Sequence, residues 1–252
     1  MTAGPIGVGT APVAIVTGSN GGIGAAICRQ LTKTGHRVVG VDRVQSSDSG
    51  SWALETQVLD VTAPDRVREV VDGIADRFGR IDVLVNCAGT AHRGSFAGTT
   101  ATEFMTDVES SLLGTFLMSQ AVVFPHMEAA RAGRIVNIAS ISGKTGGTGP
   151  VSPDGSAGRS GPGYAAAKAG VINLTRWMAR DVGRLGITCN TVAPGPIQTV
   201  LTVGHSYDVG GIPLGRLGTA EEVADAVGWL ASTGAGYVSG TVVDVDGGLV
   251  RT

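Results

Sequence analysis

Short apolar runs alternate with stretches of helical spacing along most of the chain. Val13-Ala14-Ile15-Val16, stopped by Thr17-Gly18, predicts a buried strand. Residues 22–34 carry Ile23, Ile27 and Leu31 at helical spacing, and Gly35 closes them. Residues 37–41 predict a second strand, ended by Asp42, and residues 57–61 a third, with Asp60 at its end. Pro64 stands where a first helical turn tolerates proline, and Val67, Val70, Val71 and Ile74 mark that helix's buried face. Residues 81–85 predict a fourth strand, running into Asn86-Cys87-Ala88-Gly89. Residues 102–130 predict a long helix with apolar positions at Phe104, Val108, Leu112, Leu113, Phe116 and Leu117. A fifth strand (134–138), a second long helix (163–184), a sixth strand (187–192), a helix (220–231) and a seventh strand (241–245) complete the pattern. Several strands are apolar on both faces, and strand alternates with helix throughout. That predicts an α/β fold with a mostly parallel sheet and helices on both sides.

No repeat or linker divides the chain, so residues 12–252 read as a single domain after a loose tail, residues 1–11. One stretch breaks the alternation. Residues 144–163 are twenty positions rich in Gly, Ser, Pro and Thr, with no periodicity. A loop this long inside a compact domain is functional or disordered more often than not.

Composition narrows the function classes. The chain has 252 residues, Lys+Arg 19 against Asp+Glu 21, and a formal net charge of -2. With no Lys/Arg block, neither nucleic acid nor a membrane surface is expected as a partner. No apolar run reaches the roughly 18 residues of a membrane span. Residues 1–12 lack the basic and apolar regions of a secretory signal. Cys28, Cys87 and Cys189 are far apart, odd in number and set in apolar runs. They are expected as free thiols in a reducing, cytoplasmic compartment. No His/Cys/Asp/Glu group has ligand spacing, so no catalytic metal is expected.

Two patterns carry candidate chemistry. The first is Tyr164-Ala165-Ala166-Ala167-Lys168. Residues four apart share a helix face, so phenol and ammonium point the same way. A nearby cation stabilises phenolate, and a phenol so tuned can give or take an alcohol proton. Taken alone, the pair is also an ordinary helix face. The second is Thr17-Gly18-Ser19-Asn20-Gly21-Gly22-Ile23-Gly24, which follows a strand and opens a helix. Glycines there let backbone approach a pyrophosphate, and the helix N-terminus favours its charge. Asp42 ends the second strand, eighteen residues after Gly24. A carboxylate there can hold an adenosine ribose and repel a 2′-phosphate, which selects NAD. Arg43, next to it, would instead accommodate that phosphate. Asp60-Val61 is a candidate for the adenine edge, and Asn86, Ala88 and Gly89 end the fourth strand at the same sheet edge. Each of these is also a common turn residue.

Taken in order, Thr17-Gly18-x-x-x-Gly22-Ile23-Gly24, Asn86-x-Ala88-Gly89, Ser140 after Ile135-Val136-Asn137-Ile138-Ala139, Tyr164-x-x-x-Lys168 and Asn190-x-x-x-Pro194-Gly195 resemble the short-chain dehydrogenase/reductase family. The likeness runs over about residues 12–250. It implies a doubly wound Rossmann-type domain with a seven-stranded sheet. It implies Tyr164 as general acid/base, Lys168 as the residue that lowers its pKa and holds the nicotinamide ribose, and Ser140 as donor to the substrate oxygen. Pro194, Gly195, Ile197 and Thr199 would line the nicotinamide, and Gly18, Asn20, Gly22 and Ile23 the pyrophosphate. Two departures stand out. Ser111 occupies the position of the family's asparagine, which helps a water carry protons from the lysine; Ser110 is an alternative for that role. Ser140 and Tyr164 are twenty-four residues apart, where relatives have about half that spacing. Residues 200–212 fall where relatives carry a lid. His92, Arg93, Arg159 and His205 have two readings, solvated loop residue or substrate contact.

The expectation is an NAD-dependent oxidoreductase acting on a small-molecule secondary alcohol or ketone. The alternatives are an NADPH-dependent 3-oxoacyl or ketone reductase, with Arg43 overriding Asp42, and a dinucleotide-binding sensor or scaffold weakened at Ser111. The resemblance also implies a homotetramer paired through the two long helices.

Overall fold

The computed structural model describes residues 11–45, 55–147, 160–199 and 209–250. The expected tail, most of the 144–163 loop and most of the 200–212 segment lie outside the described residues. So do Arg159 and His205.

Seven strands form one parallel sheet. They are β1 (Val13–Thr17), β2 (Arg37–Asp42), β3 (Glu55–Val58), β4 (Val83–Asn86), β5 (Gly133–Ile138), β6 (Ile187–Pro194) and β9 (Val242–Val245), ordered β3-β2-β1-β4-β5-β6-β9. Between β6 and β9, two-residue strands β7 (Ile197–Gln198) and β8 (Gly218–Thr219) pair with each other. Every residue of β1, β4 and β6 is buried, as a sheet covered on both faces requires. Side chains alternate between two cores with the strand period of two. Val13 and Ile15 face α2 (Pro64–Phe78), α4 (Gly114–Ala121) and α7 (Pro162–Val182). Ala14 and Val16 face α1 (Gly22–Lys33) and α8 (Ala220–Ala231). Pro64 opens α2, and a left-handed Gly79 closes it.

Three expectations need correction. The third strand begins at Glu55 and ends at Val58, two or three residues earlier than predicted at each end. Asp60 explains the early stop. Its Oδ1 accepts from the Thr62 N–H at 2.9 Å and the Thr62 hydroxyl at 2.8 Å, a side-chain turn that ends extended backbone. The long helix of residues 102–130 is not uniform. It runs as α3 (Ala101–Val108), a π-helical stretch Glu109–Leu113, α4, a second wide stretch Val122–Met127 and α5 (Glu128–Ala130). Phe124, the residue before Pro125, leaves helical geometry at φ -114° and ψ 110°. Its buried face is mixed, with Leu112 and Leu117 packed against the cores. Asp107, Ser111, Thr115 and Ser119 are buried, while Leu113 and Phe116 are each 39% exposed. Finally, the start of the 144–163 loop is ordered. Helix α6 (Ser142–Thr145) carries Lys144, whose Nζ pairs with Asp244 Oδ2 of β9 at 2.7 Å.

The strand order reverses between β1 and β4, whose carboxyl ends lie side by side through the Val16–Val85 register. An open parallel sheet binds ligands in the crevice at such a reversal.

Candidate active site

A cleft of about 560 Å³ opens there, within the range of roughly 300–1,000 Å³ typical of small-molecule sites. The glycine turn forms one wall. Gly18 has φ +66°, and a Cβ on it would lie 2.9 Å from Ala88 backbone. A Cβ on Gly24 would meet the Gly18 carbonyl oxygen at 2.0 Å. Both glycines are therefore demanded by close backbone packing, and the cradle so formed leaves the α1 N-terminus facing the cleft. Thr17 stitches this turn to the next strand end: its Oγ1 accepts from the N–H groups of Cys87 at 3.0 Å and Ala88 at 3.1 Å.

Gly18, Asn20, Gly22, Ile23, Asp42, Arg43, Asp60, Val61, Ala88 and Gly89 all line the cleft. The Asp42 carboxylate is held in place by the Asn20 N–H at 3.0 Å and the Val44 N–H at 3.2 Å. Asn20 Nδ2 reaches the Val44 carbonyl at 2.6 Å and closes the corner. The bonds from Thr62, the backbone N–H first, pull the Asp60 carboxyl below its ordinary range, and Arg43 adds to this.

Asn86 does not line the cleft. It is 3% exposed, and its Nδ2 donates to Ser119 Oγ at 3.0 Å and Asn137 Oδ1 at 2.9 Å. Asn137 continues to Thr175 at 2.8 Å, which Thr191 meets at 2.7 Å. A buried amide takes the partners the core offers, and here they lie beneath the strand ends, away from the cofactor side. Asn86→Ala should therefore lower stability by about 1–3 kcal/mol, the cost of orphaned buried groups, with little change in cofactor KM. Denaturant melts beside cofactor saturation curves check this; a large rise in KM at unchanged stability would contradict it.

The reacting end is built by β5, β6 and α7. Ser140, Tyr164, Lys168, Pro194, Gly195, Ile197 and Thr199 all line the cleft. Gly161 caps α7 and Pro162 sits in its first turn, so Tyr164 and Lys168 fall one turn apart on one face. Lys168 Nζ lies 5.6 Å from the Tyr164 ring centroid and donates to the Ile138 carbonyl at 2.8 Å. The Ser140 hydroxyl oxygen accepts from the Ser142 N–H at 3.1 Å, which fixes its position.

Lys168 is 5% exposed. Burial pushes its ammonium down from 10.5 to about 8, against the pull of Cys87 and Asp107. The consequence for stability has a definite sign. Between about pH 8 and 10.5 the unfolded chain binds the extra proton, so stability contributed by this site rises with pH across that window. The burial cost of the charged form is present in full below the window, and its relief is worth about 3 kcal/mol. Denaturant midpoints of the cofactor-free protein should rise relative to Lys168→Met as pH passes upward through this window. Parallel curves for the two proteins would refute the buried charge.

Ser111 sits just off the cleft. Its Oγ is buried without a hydrogen-bond partner and does not line the cleft. It lies behind Gly89, where a Cβ on that glycine would come within 2.5 Å of Ser111 Oγ and 3.5 Å of Lys168 Nζ. Its neighbour Ser110 does line the cleft. Ser110 Oγ accepts the Thr90 N–H at 3.1 Å and donates to the Thr106 carbonyl at 2.7 Å.

Sequence reading missed Thr90, Ala91, Ser142 and Ser160 in the lining and left His92 and Arg93 undecided. The available signal was position: Thr90 to Arg93 directly follow a strand end at the reversal. Ser160 gives no such signal, because it arrives through a bridge to Arg93 from the far end of a loop. Among the described residues, no group of three His, Cys, Asp or Glu is placed to hold a metal ion.

A glycine cradle at the reversal, an acid ending β2, and a Tyr/Lys/Ser set facing the same cleft define the class: an oxidoreductase of doubly wound fold that uses a nicotinamide dinucleotide. Residues 18–250 match a family model described as enoyl-(acyl carrier protein) reductase. The chain belongs to the short-chain dehydrogenase/reductase family. It is 37% identical over 250 residues to the 3-oxoacyl-(acyl-carrier-protein) reductase FabG of Vibrio cholerae, covering 94% of this chain and 96% of that protein. The Escherichia coli FabG is 36% identical over 251 residues, with the same coverage. An uncharacterized oxidoreductase of Schizosaccharomyces pombe, C922.06, is 37% identical over 247 residues, covering 94% of this chain and 90% of that one. The crystal structure of gox2181 superposes with a TM-score of 0.85 at 33% identity, covering 95% of each chain.

Proposed function

We propose that this protein reduces a ketone, or in reverse oxidises a secondary alcohol, with Tyr164 as the acid/base. The observation that carries it is the placement of Tyr164 and Lys168 on one face of α7, in the cleft that Ser140 and the glycine cradle also line. The nicotinamide, when bound, supplies or accepts the hydride. Tyr164 gives the substrate oxygen its proton during reduction. Lys168 favours the phenolate that results, and Ser140 donates to the same oxygen as charge develops. For the water that carries protons from Lys168, the lining position of Ser110 supports that hydroxyl, and the unpartnered buried Oγ supports Ser111.

On substrate, the relatives weigh more than the geometry. Several are named 3-oxoacyl-(acyl-carrier-protein) reductases, which makes the ketone of a 3-oxoacyl group the first candidate and a simple alcohol the second. On cofactor, the anchored Asp42 carboxylate supports NAD(H), because a 2′-phosphate beside it meets like charge. Arg43 in the same lining supports NADP(H), and so does the reductive reading. Initial rates on an acetoacetyl thioester and on secondary alcohols, each with both cofactors, test these readings together. Absence of turnover with every pair would favour a sensor or scaffold instead.

The reading extends to assembly and setting. Leu113, Phe116 and Trp177 expose apolar surface on the π stretch, α4 and α7, Trp177 at 62%, which supports pairing of these helices between subunits in a tetramer. The three cysteines are free thiols, which supports a reducing, cytoplasmic setting. No helix among the described residues is long and apolar enough to cross a membrane.

A further inference from the structure

Behind the lining residues Thr90 and His92 lies a buried carboxylate. Asp107 is 1% exposed and sits on α3 where its helix meets the turn after β4. Its Oδ1 accepts from the Thr90 hydroxyl at 2.7 Å and lies 2.9 Å from His92 Nδ1. The His92 N–H reaches both carboxylate oxygens at 3.3 Å. His92 itself lines the cleft, with its side chain 40% exposed. The His92 carbonyl also takes the Gly161 N–H at 2.9 Å, so this turn is tied to the cap of the Tyr164 helix. Histidine and tyrosine are thereby held in a fixed relation.

A carboxylate only accepts, so the ring nitrogen facing Asp107 carries hydrogen. In the neutral ring the other nitrogen, Nε2, then has a bare lone pair, and it lies on the edge turned away from the buried acid. We infer that His92, oriented by Asp107, is a specificity-determining residue whose Nε2 accepts a hydrogen bond from an O–H or N–H of the substrate beyond the reacting carbon. This deepens the ketone/alcohol reading and rests on it. A hydroxyl of a small hydroxyketone and the amide N–H of a pantetheine-like thioester arm both supply that donor. Asp107 is a positioning residue. It touches the ring and not the substrate.

Paired substrates test the recognition. Acetoin is set against butanone, and the acetoacetyl thioester of N-acetylcysteamine against ethyl acetoacetate, the first of each pair carrying the donor. The quantity read is the ratio of kcat/KM within a pair. In at least one pair that ratio should fall by about three- to tenfold in His92→Phe, the worth of one neutral hydrogen bond. It should partly recover in His92→Gln, whose amide oxygen accepts. The pair that responds identifies the donor as hydroxyl or amide. Ratios equal to wild type in both variants and both pairs overturn the inference. So does a preference for a keto acid that His92→Phe abolishes, because the ring would then be a donor to an anion. Butanone and ethyl acetoacetate turnover lost in Tyr164→Phe tests the underlying reading separately, since neither ester nor ketone carries the donor.

A second readout needs no turnover. With nitrogen-labelled histidine at alkaline pH, the long-range nitrogen–proton spectrum should show His92 with hydrogen on Nδ1, assigned by its loss in His92→Phe. Asp107→Asn, which can donate to Nδ1, should shift hydrogen to Nε2 and reduce the donor-substrate ratio. Hydrogen on Nε2 in the wild type would overturn the orientation by Asp107.

Discussion

Tyr164→Phe is expected to lower kcat by about a hundred- to ten-thousand-fold while leaving cofactor affinity near wild type. The change removes one oxygen from a half-buried ring on α7 and keeps the ring. What is lost is the group that exchanges a proton with the substrate oxygen in the transition state. Lys168, Ser140 and the glycine cradle remain, so nucleotide should still bind. The measurement is initial rate, read at the absorbance of reduced nicotinamide, beside a fluorescence titration of the cofactor. Retention of wild-type kcat on every substrate would remove the phenol from the mechanism. Loss of both rate and cofactor affinity would instead show that Tyr164 holds the nucleotide in place.

Asp42→Ala is expected to weaken NAD use by about ten- to a hundredfold in kcat/KM and to improve NADP use. A hydrogen bond to a charged acceptor is worth about 1.5–3 kcal/mol, and the same charge repels a phosphate at that ribose. The carboxylate is preoriented by the Asn20 and Val44 N–H groups, so little ordering is needed when a ribose arrives. With the charge gone, Arg43 is left as the nearest cation in that part of the lining. Should the wild type already use NADP better than NAD, Arg43 governs the pocket and Asp42 serves only as the corner acceptor for backbone.

The long helix shows why some expectations missed. Its apolar residues follow a helical period, but a period does not say which face meets the sheet. Here the buried face mixes apolar residues, Met118, Val122 and Met127, with polar ones, and Ser119 meets the buried amide of Asn86 beneath the strand ends. The wide turns at Glu109–Leu113 and Val122–Met127 then shift the register further. Asn86 and Ser111 lie off the cleft for a related reason. Each stands one position from a lining residue, Cys87 and Ser110, and one position along a backbone is enough to turn a side chain from cleft to core.

Local chemistry alone determined the alternation of strand and helix, the glycine turn and the i,i+4 spacing of Tyr164 and Lys168. Each depends on contacts within a few residues, and those contacts leave a mark in the order of residue types. The neighbours that make the site work come from far apart in the chain: Ile138 under Lys168, Thr17 under Ala88, Asp107 behind His92. Burial and partner choice are properties of three-dimensional packing, so only the tertiary structure decided which hydroxyl faces the cleft and which acid lies behind it.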